Sequence, residues 1–286
     1  MTDTQTQAPQ RTFDIAMQMQ SEGPNRRVTV HHEFSNAPNS IPAEKGFPFG
    51  GLLAAMCAKT MTEGLEIDAP LQSLTVQYLA AAKFGEELVF EPRLLRKGRQ
   101  VSYANLIAGE GERLTHAASA TYGVDGDCPT PVHEKHRVPV DVNSLTESEH
   151  MRGPFTPRFA SQIEYRFQDG PNIFGGNKDR ARREGTWMRF RDGKPLDVYR
   201  LCYLMDALYP PASTAFQHPV LMTTVDLRYD FIAPPTAQNT PDGWAYVEFE
   251  LIDFDRDWTV DDVTVWGVDG TVLGIGRQRR RVLNRK

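Results

Sequence analysis

TTVDLRYDF, residues 223–231, alternates apolar Val225, Leu227, Tyr229 and Phe231 with polar Asp226, Arg228 and Asp230, the period-two pattern of a strand with one buried face. SLTVQY at 73–78 has the same character and stands at the matching place in the other half of the chain. Each stretch follows an apolar run that reads as a helix. GFPFGG at 46–51 opens LLAAMCAKTM, a helix ending near Gly64, and a second helix spans about Leu196 to Leu208. Each stretch also precedes three more strand-like runs, at 87–95, 101–108 and 113–122 in the first half and at 244–254, 259–268 and 271–283 in the second. KGR at 97–99 and GEGE at 109–112 supply turns for an antiparallel meander. Further strands are expected at Val28 to Phe34, 161–167 and 185–191.

The order of elements recurs, so the chain reads as an internal duplication. Residues 73–78 fall against 224–229, and 111–114 against 270–273. The expected class is α+β: two units, each a long helix wrapped by an antiparallel sheet, with the two sheets paired edge to edge. The units run 13–123 and 158–286, joined by a linker at 124–157 that carries five prolines and little periodicity. Residues 1 to about 12, rich in Gln, Thr and Pro, read as a loose tail.

The chain has 286 residues, enough to bury a substantial core, with 40 % hydrophobic and 24 % charged residues. Thirty-two Lys and Arg against 37 Asp and Glu give a net charge of -5, so no basic field recruits nucleic acid. Cys57, Cys128 and Cys202 are widely spaced, which argues against a disulfide framework or a zinc site. No signal peptide and no membrane-spanning run is legible, and the chain reads as reduced, cytoplasmic and soluble. Neither a GxSxG elbow nor a phosphate loop is present.

Four stretches together resemble the double-hotdog acyl-CoA thioesterases, of which acyl-CoA thioesterase II is the prototype. They are FGGLLAAMC at 49–57, the Leu71 to Arg99 strand pair ending in LRKGR, LCYLMDALYPPA at 201–212, and TTVDLRYDF with DGTVLGIGRQ at 269–278. The likeness covers about residues 13–283. It implies a double-hotdog fold, hydrolysis of an acyl-CoA without metal or cofactor, and a homodimer or higher homo-oligomer. The family's hydrolytic residues carry over to Asp206 on the second helix, Thr224 before a strand, and Gln278 in the last strand. The first half offers Ser73 and Ser119 at the repeated positions and no acid in its helix before Glu63, so one site per chain is expected. Tyr209, Pro210 and Pro211 after the Asp helix and the loop 233–243 depart from the prototype.

A carboxylate in so apolar a helix needs a partner, and Asp206 reads either as catalytic or as a structural Asp satisfied by backbone or by an Arg. In the catalytic reading it accepts the proton of a water that Thr224 and Gln278 orient, and direct attack by Asp206 to a mixed anhydride is the chemical alternative. Gly50 and Gly51 either present the first N–H groups of their helix to the developing oxyanion or serve a tight turn and close packing. Thr224 shares parity with Asp226 and Arg228, so it reaches the site only ahead of the regular strand or at a bulge.

The basic run Arg277, Arg279, Arg280, Arg281, Arg285 and Lys286 reads as a solvated edge strand, with coenzyme A phosphates as its other use. Arg96, Lys97 and Arg99 read alike. His31, His32, His133 and His136 match no metal or catalytic spacing and read as surface or packing residues. Two rival functions remain: a non-catalytic acyl-CoA or acyl-chain binder on the same fold, and a hotdog dehydratase or hydratase, which needs a helix histidine that neither helix has.

Overall fold

The computed structural model describes residues 12–126, 141–171, 173–176 and 183–283. One antiparallel sheet of 12 strands organises them. The first half contributes β1 (Gln20–Glu22), β2 (Asn25–Val28), β3 (Leu71–Tyr78), β4 (Leu88–Arg96), β5 (Val101–Glu110) and β6 (Arg113–Gly123). The second contributes β7 (Ile163–Arg166), β8 (Arg183–Phe190), β9 (Met222–Phe231), β10 (Ala245–Asp255), β11 (Trp258–Trp266) and β12 (Val272–Val282). The strand order is β1-β2-β4-β5-β6-β3-β9-β12-β11-β10-β8-β7. Read from either edge inward, the two halves have the same topology. They join where β3 pairs β9, with Leu74 opposite Tyr229 and Val76 opposite Leu227. The edge-to-edge pairing expected from the duplication is therefore present.

Among the described residues three α-helices complete the layers: α1 (Phe13–Ala16), α2 (Gly50–Gly64) and α3 (Val198–Leu204). Ala, Leu and Met in α2 favour helix, and ten of its residues are buried, so the sheet encloses it on most sides. Asp197 caps α3 by accepting the Arg200 N–H at 2.7 Å. Two expectations need correction. The second helix is seven residues long, not the thirteen of 196–208, because after Leu204 the backbone tightens: the Asp206 N–H bonds the Tyr203 carbonyl at 3.2 Å, and the Ala207 N–H bonds the Leu204 carbonyl at 3.1 Å. The strand expected at Val28 to Phe34 ends at Val28, and His32–Phe34 is a 3₁₀ turn.

A single core cluster unites α2, α3 and the inner faces of both half-sheets. Phe13 and Asp14 are fastened to the second half: Arg200 pairs with Asp14 and Asp192, and the Phe13 ring packs on Phe190 at 5.0 Å, while residues 1–11, expected as a loose tail, lie outside the described residues. Residues 154–159 are stitched to 35–40, as in Asn39 N–H to the Thr156 carbonyl at 2.9 Å. Cys57 and Cys202 are free, buried thiols in α2 and α3. Cys128, His133, His136, Arg285 and Lys286 lie outside the described residues. Among those described, no helix is long and apolar enough to cross a membrane.

Candidate active site

Asp206 sits two residues beyond α3, not within it, with 7 % of its surface exposed. Gln278 on β12 is fully buried, and its Nε2 donates to the Met205 carbonyl at 3.2 Å. The Thr224 hydroxyl lies 3.4 Å from Gln278 Oε1. The three residues chosen from the sequence therefore meet at one place.

Thr224 gets there through a bulge. Asp226 pairs with Arg279 while Thr224 pairs with Arg280, so Val225 is the extra residue and parity reverses beyond it. The reversal swings Thr224 to the side of Leu227 and Gln278. In the first half the repeat set Ser119 opposite Gln278, but Ser119 is exposed, and its inward neighbours are Ala118 and Ala120.

The start of α2 closes the site from the other side. A Cβ on Gly50 would stand 2.9 Å from Asp206 Oδ2 and 3.1 Å from the Tyr78 hydroxyl, and one on Gly51 would lie 3.0 Å from Asp206 Cβ. Glycine suits both positions, because any side chain on Gly50 would press on Asp206 and Tyr78 and one on Gly51 on the Phe49 ring and Asp206. Phe49 holds the approach by stacking on Phe159 at 3.8 Å and meeting Tyr203 edge-on at 4.6 Å. The Tyr78 hydroxyl donates to the Gly50 carbonyl at 2.8 Å.

Burial raises the Asp206 pKa above the usual carboxylate value, and this outweighs the Arg280 charge, Gln278 and the Gly51 N–H, all of which favour the charged form. Part of the helix-start field that was expected to serve an oxyanion thus acts on Asp206 itself.

The basic run is not a solvated edge. β12 runs between β9 and β11, so its side chains alternate between faces. Arg277, exposed, pairs with Asp262 at 2.6 Å, whereas Arg280 is buried. Arg280 Nη1 donates to Thr224 Oγ1 at 3.0 Å, its Nε donates to Asp261 Oδ2 at 2.9 Å, and its Nη2 stands 3.6 Å from Asp206 Oδ1. Sequence reasoning missed Arg280 and Asp261. Arg280 does share parity with Gln278, two residues away, which was the available signal. Tyr229 Oη is also buried, without a hydrogen-bond partner among the described residues.

Two profiles of one family match the chain: the acyl-CoA thioesterase N-terminal domain over residues 37–123 and the acyl-CoA thioesterase C-terminal domain over residues 139–282. The chain belongs to the acyl-CoA thioesterase family. This thioesterase is a hydrolase with the expected hotdog fold. It is similar to a hot dog fold protein of unknown function from Alicyclobacillus acidocaldarius, at 21 % identity and TM-score 0.84, over 96 % of this chain and 98 % of that one. It is also similar to an acyl-CoA thioesterase II from Mycobacterium marinum, at 13 % identity and TM-score 0.71, over 96 % and 99 % of the two chains. Among curated protein sequences none matches the thioesterase.

Proposed function

We propose that this thioesterase hydrolyses an acyl-CoA to a free acid and coenzyme A with Asp206 as general base. The observation that carries the reading is the buried Asp206 carboxylate, its pKa raised, beside Gln278 and Thr224. A water between Asp206 and the thioester gives its proton to the carboxylate as its oxygen bonds the carbonyl carbon. The tetrahedral intermediate then expels the coenzyme A thiolate, and the proton leaves with it. Thr224 and Gln278 orient the water. Gly50 and Gly51 let the thioester lie against the start of α2, where the helix field favours the oxyanion.

The same proposal includes division into units 13–123 and 158–286 about a 124–157 linker, which the repeated strand order supports. It includes a role in lipid metabolism in the cytoplasm, in keeping with the free thiols Cys57 and Cys202. It includes a homo-oligomer, since Val101, Tyr103 and Ile107 form an exposed apolar row on the outer side of β5.

A second reading, a non-catalytic acyl-CoA or acyl-chain binder, draws on the burial of Asp206 and on two surface clefts that do not include it. One is lined by Ile15, Val28, Val30 and Met56, the other by His32, Pro42, Glu44 and Arg158. Release of free coenzyme A across chains from acetyl to palmitoyl, with Asp206→Asn alongside, separates the two. Turnover that falls by about a hundredfold or more in the variant, with binding retained, is the expected outcome. Binding without turnover by either protein would replace hydrolysis with the second reading.

A further inference from the structure

Burying an arginine and a carboxylate inside a sheet is costly, and apolar residues of similar volume would serve packing at least as well. Arg280 and Asp261 are nonetheless buried side by side on β12 and β11, with 6 % and 0 % exposure. Their contacts run toward the site. Asp261 Oδ2 holds Arg280 Nε at 2.9 Å and accepts from Thr259 Oγ1 at 3.4 Å. Arginine can only donate, so Thr224 Oγ1 must accept from Arg280 Nη1. The single hydroxyl proton of Thr224 is then left for Gln278 Oε1, which turns the Gln278 amide nitrogen toward the Met205 carbonyl and the Asp206 side of the site. The Met205 carbonyl, which can only accept, holds the amide in that same orientation, so the Thr224 hydroxyl lies between an obligate donor in Arg280 and an obligate acceptor in Gln278 Oε1.

The second effect is charge. Arg280 Nη2 faces Asp206 Oδ1 at 3.6 Å and makes no hydrogen bond among the described residues; Asp261 Oδ1 is likewise without one. One cation thus serves two carboxylates. The other titratable groups around Asp206 are Tyr78 on β3, Tyr229 on β9, Cys202 and Tyr203 on α3 and Cys57 on α2, and burial pushes each of them up, so they stay neutral at ordinary pH.

We propose that Asp261 and Arg280 are a buried positioning pair, which anchors the Thr224 hydroxyl in its contact with Gln278 and holds a shared positive charge beside Asp206. The proposal rests on Asp206 acting as the base.

The test is a pH titration of the Asp206 carboxyl carbon in ¹³C-aspartate-labelled protein, assigned by its loss in Asp206→Asn, together with the pH profile of kcat/KM. Arg280→Gln removes the charge while keeping a donor for Thr224, and the Asp206 midpoint should rise by about one pH unit. Asp261→Asn removes the competing anion, and the midpoint should fall. The acid limb of the profile should follow in both cases. A structural role alone would not move two variants in opposite directions, and shifts of the same sign, or none, would overturn the proposal. If these variants do not fold, Arg280→Met combined with Asp261→Leu replaces the pair by apolar bulk. It should fold and lose about tenfold to a hundredfold in kcat, with KM within about twofold. Retention of full kcat by that variant would also overturn the pair. If the wild type shows no turnover, the hydrolase reading fails while the titration still decides the pair.

Discussion

Asp206 is a costly residue for the fold. Its folded-state pKa lies above that of the unfolded chain, so folding binds a proton more tightly there. The stability this contributes is complete below the unfolded pKa and is lost as pH rises through the folded pKa. Asp206→Asn, which carries no charge at any pH, should therefore gain in Tm relative to the wild type as pH rises from about 4 to about 8, while activity is lost. Thermal melts across that range check it, and a gap that stays constant or shrinks with pH would contradict the assignment of burial as the dominant influence. At this scale the sequence showed residue types well. An Asp amid Leu, Met and Cys, a Thr and a strand Gln are visible in a linear chain, and the resemblance told which to join; the Thr was expected just before its strand, whereas Thr224 lies within β9. Arg280 was hidden because Arg277, Arg279 and Arg281 around it look like a solvated run. Whether such a strand is central or at an edge depends on β9 and β11, which pair with it from far along the chain.

The elements that place these residues are irregular where the site is. Strict alternation would have turned Thr224 outward; the bulge at Val225 turns it in. Strand periodicity cannot locate a bulge, because the extra residue is defined only against a partner strand. The shortness of α3 was hidden for a related reason. Apolar residues continue through Leu208, but the chain tightens after Leu204 so that Asp206 can face Gln278. Since α3 is so short, its cap matters more than it would in a long helix. Asp197→Ala should cost about 1 kcal/mol in chemical denaturation, with the Asp206 site otherwise unchanged. A loss near zero would show that core packing alone holds α3.

The described strands form one sheet, although the sequence reads as two units. β3 and β9 pair over five residues, Leu227 is fully buried at that junction, and Phe13 and Asp14 from the first half bind Arg200 and Phe190 in the second. The halves should therefore unfold together. All four tryptophans, Trp187, Trp244, Trp258 and Trp266, lie in the second half, so fluorescence reports that half and far-ultraviolet circular dichroism the whole chain. Their denaturation midpoints should coincide, and Leu227→Ala should lower the unfolding free energy read by both probes by about 2–5 kcal/mol, moving the two midpoints together. Separate midpoints would mean two independently stable units. The duplication itself was legible because helix and strand periodicities repeat in the same order.

The covalent join between the halves also changes what mutation can reach. Were the two halves identical chains, any substitution would fall on both sites at once, and a small Ala118 or Ala120 could not exist opposite a Gln278. In one gene each copy answers to selection separately. The first half keeps Gly50, Gly51 and Tyr78 against Asp206, while the second alone carries the buried Asp206, Asp261 and Arg280, so the same charges are not buried twice.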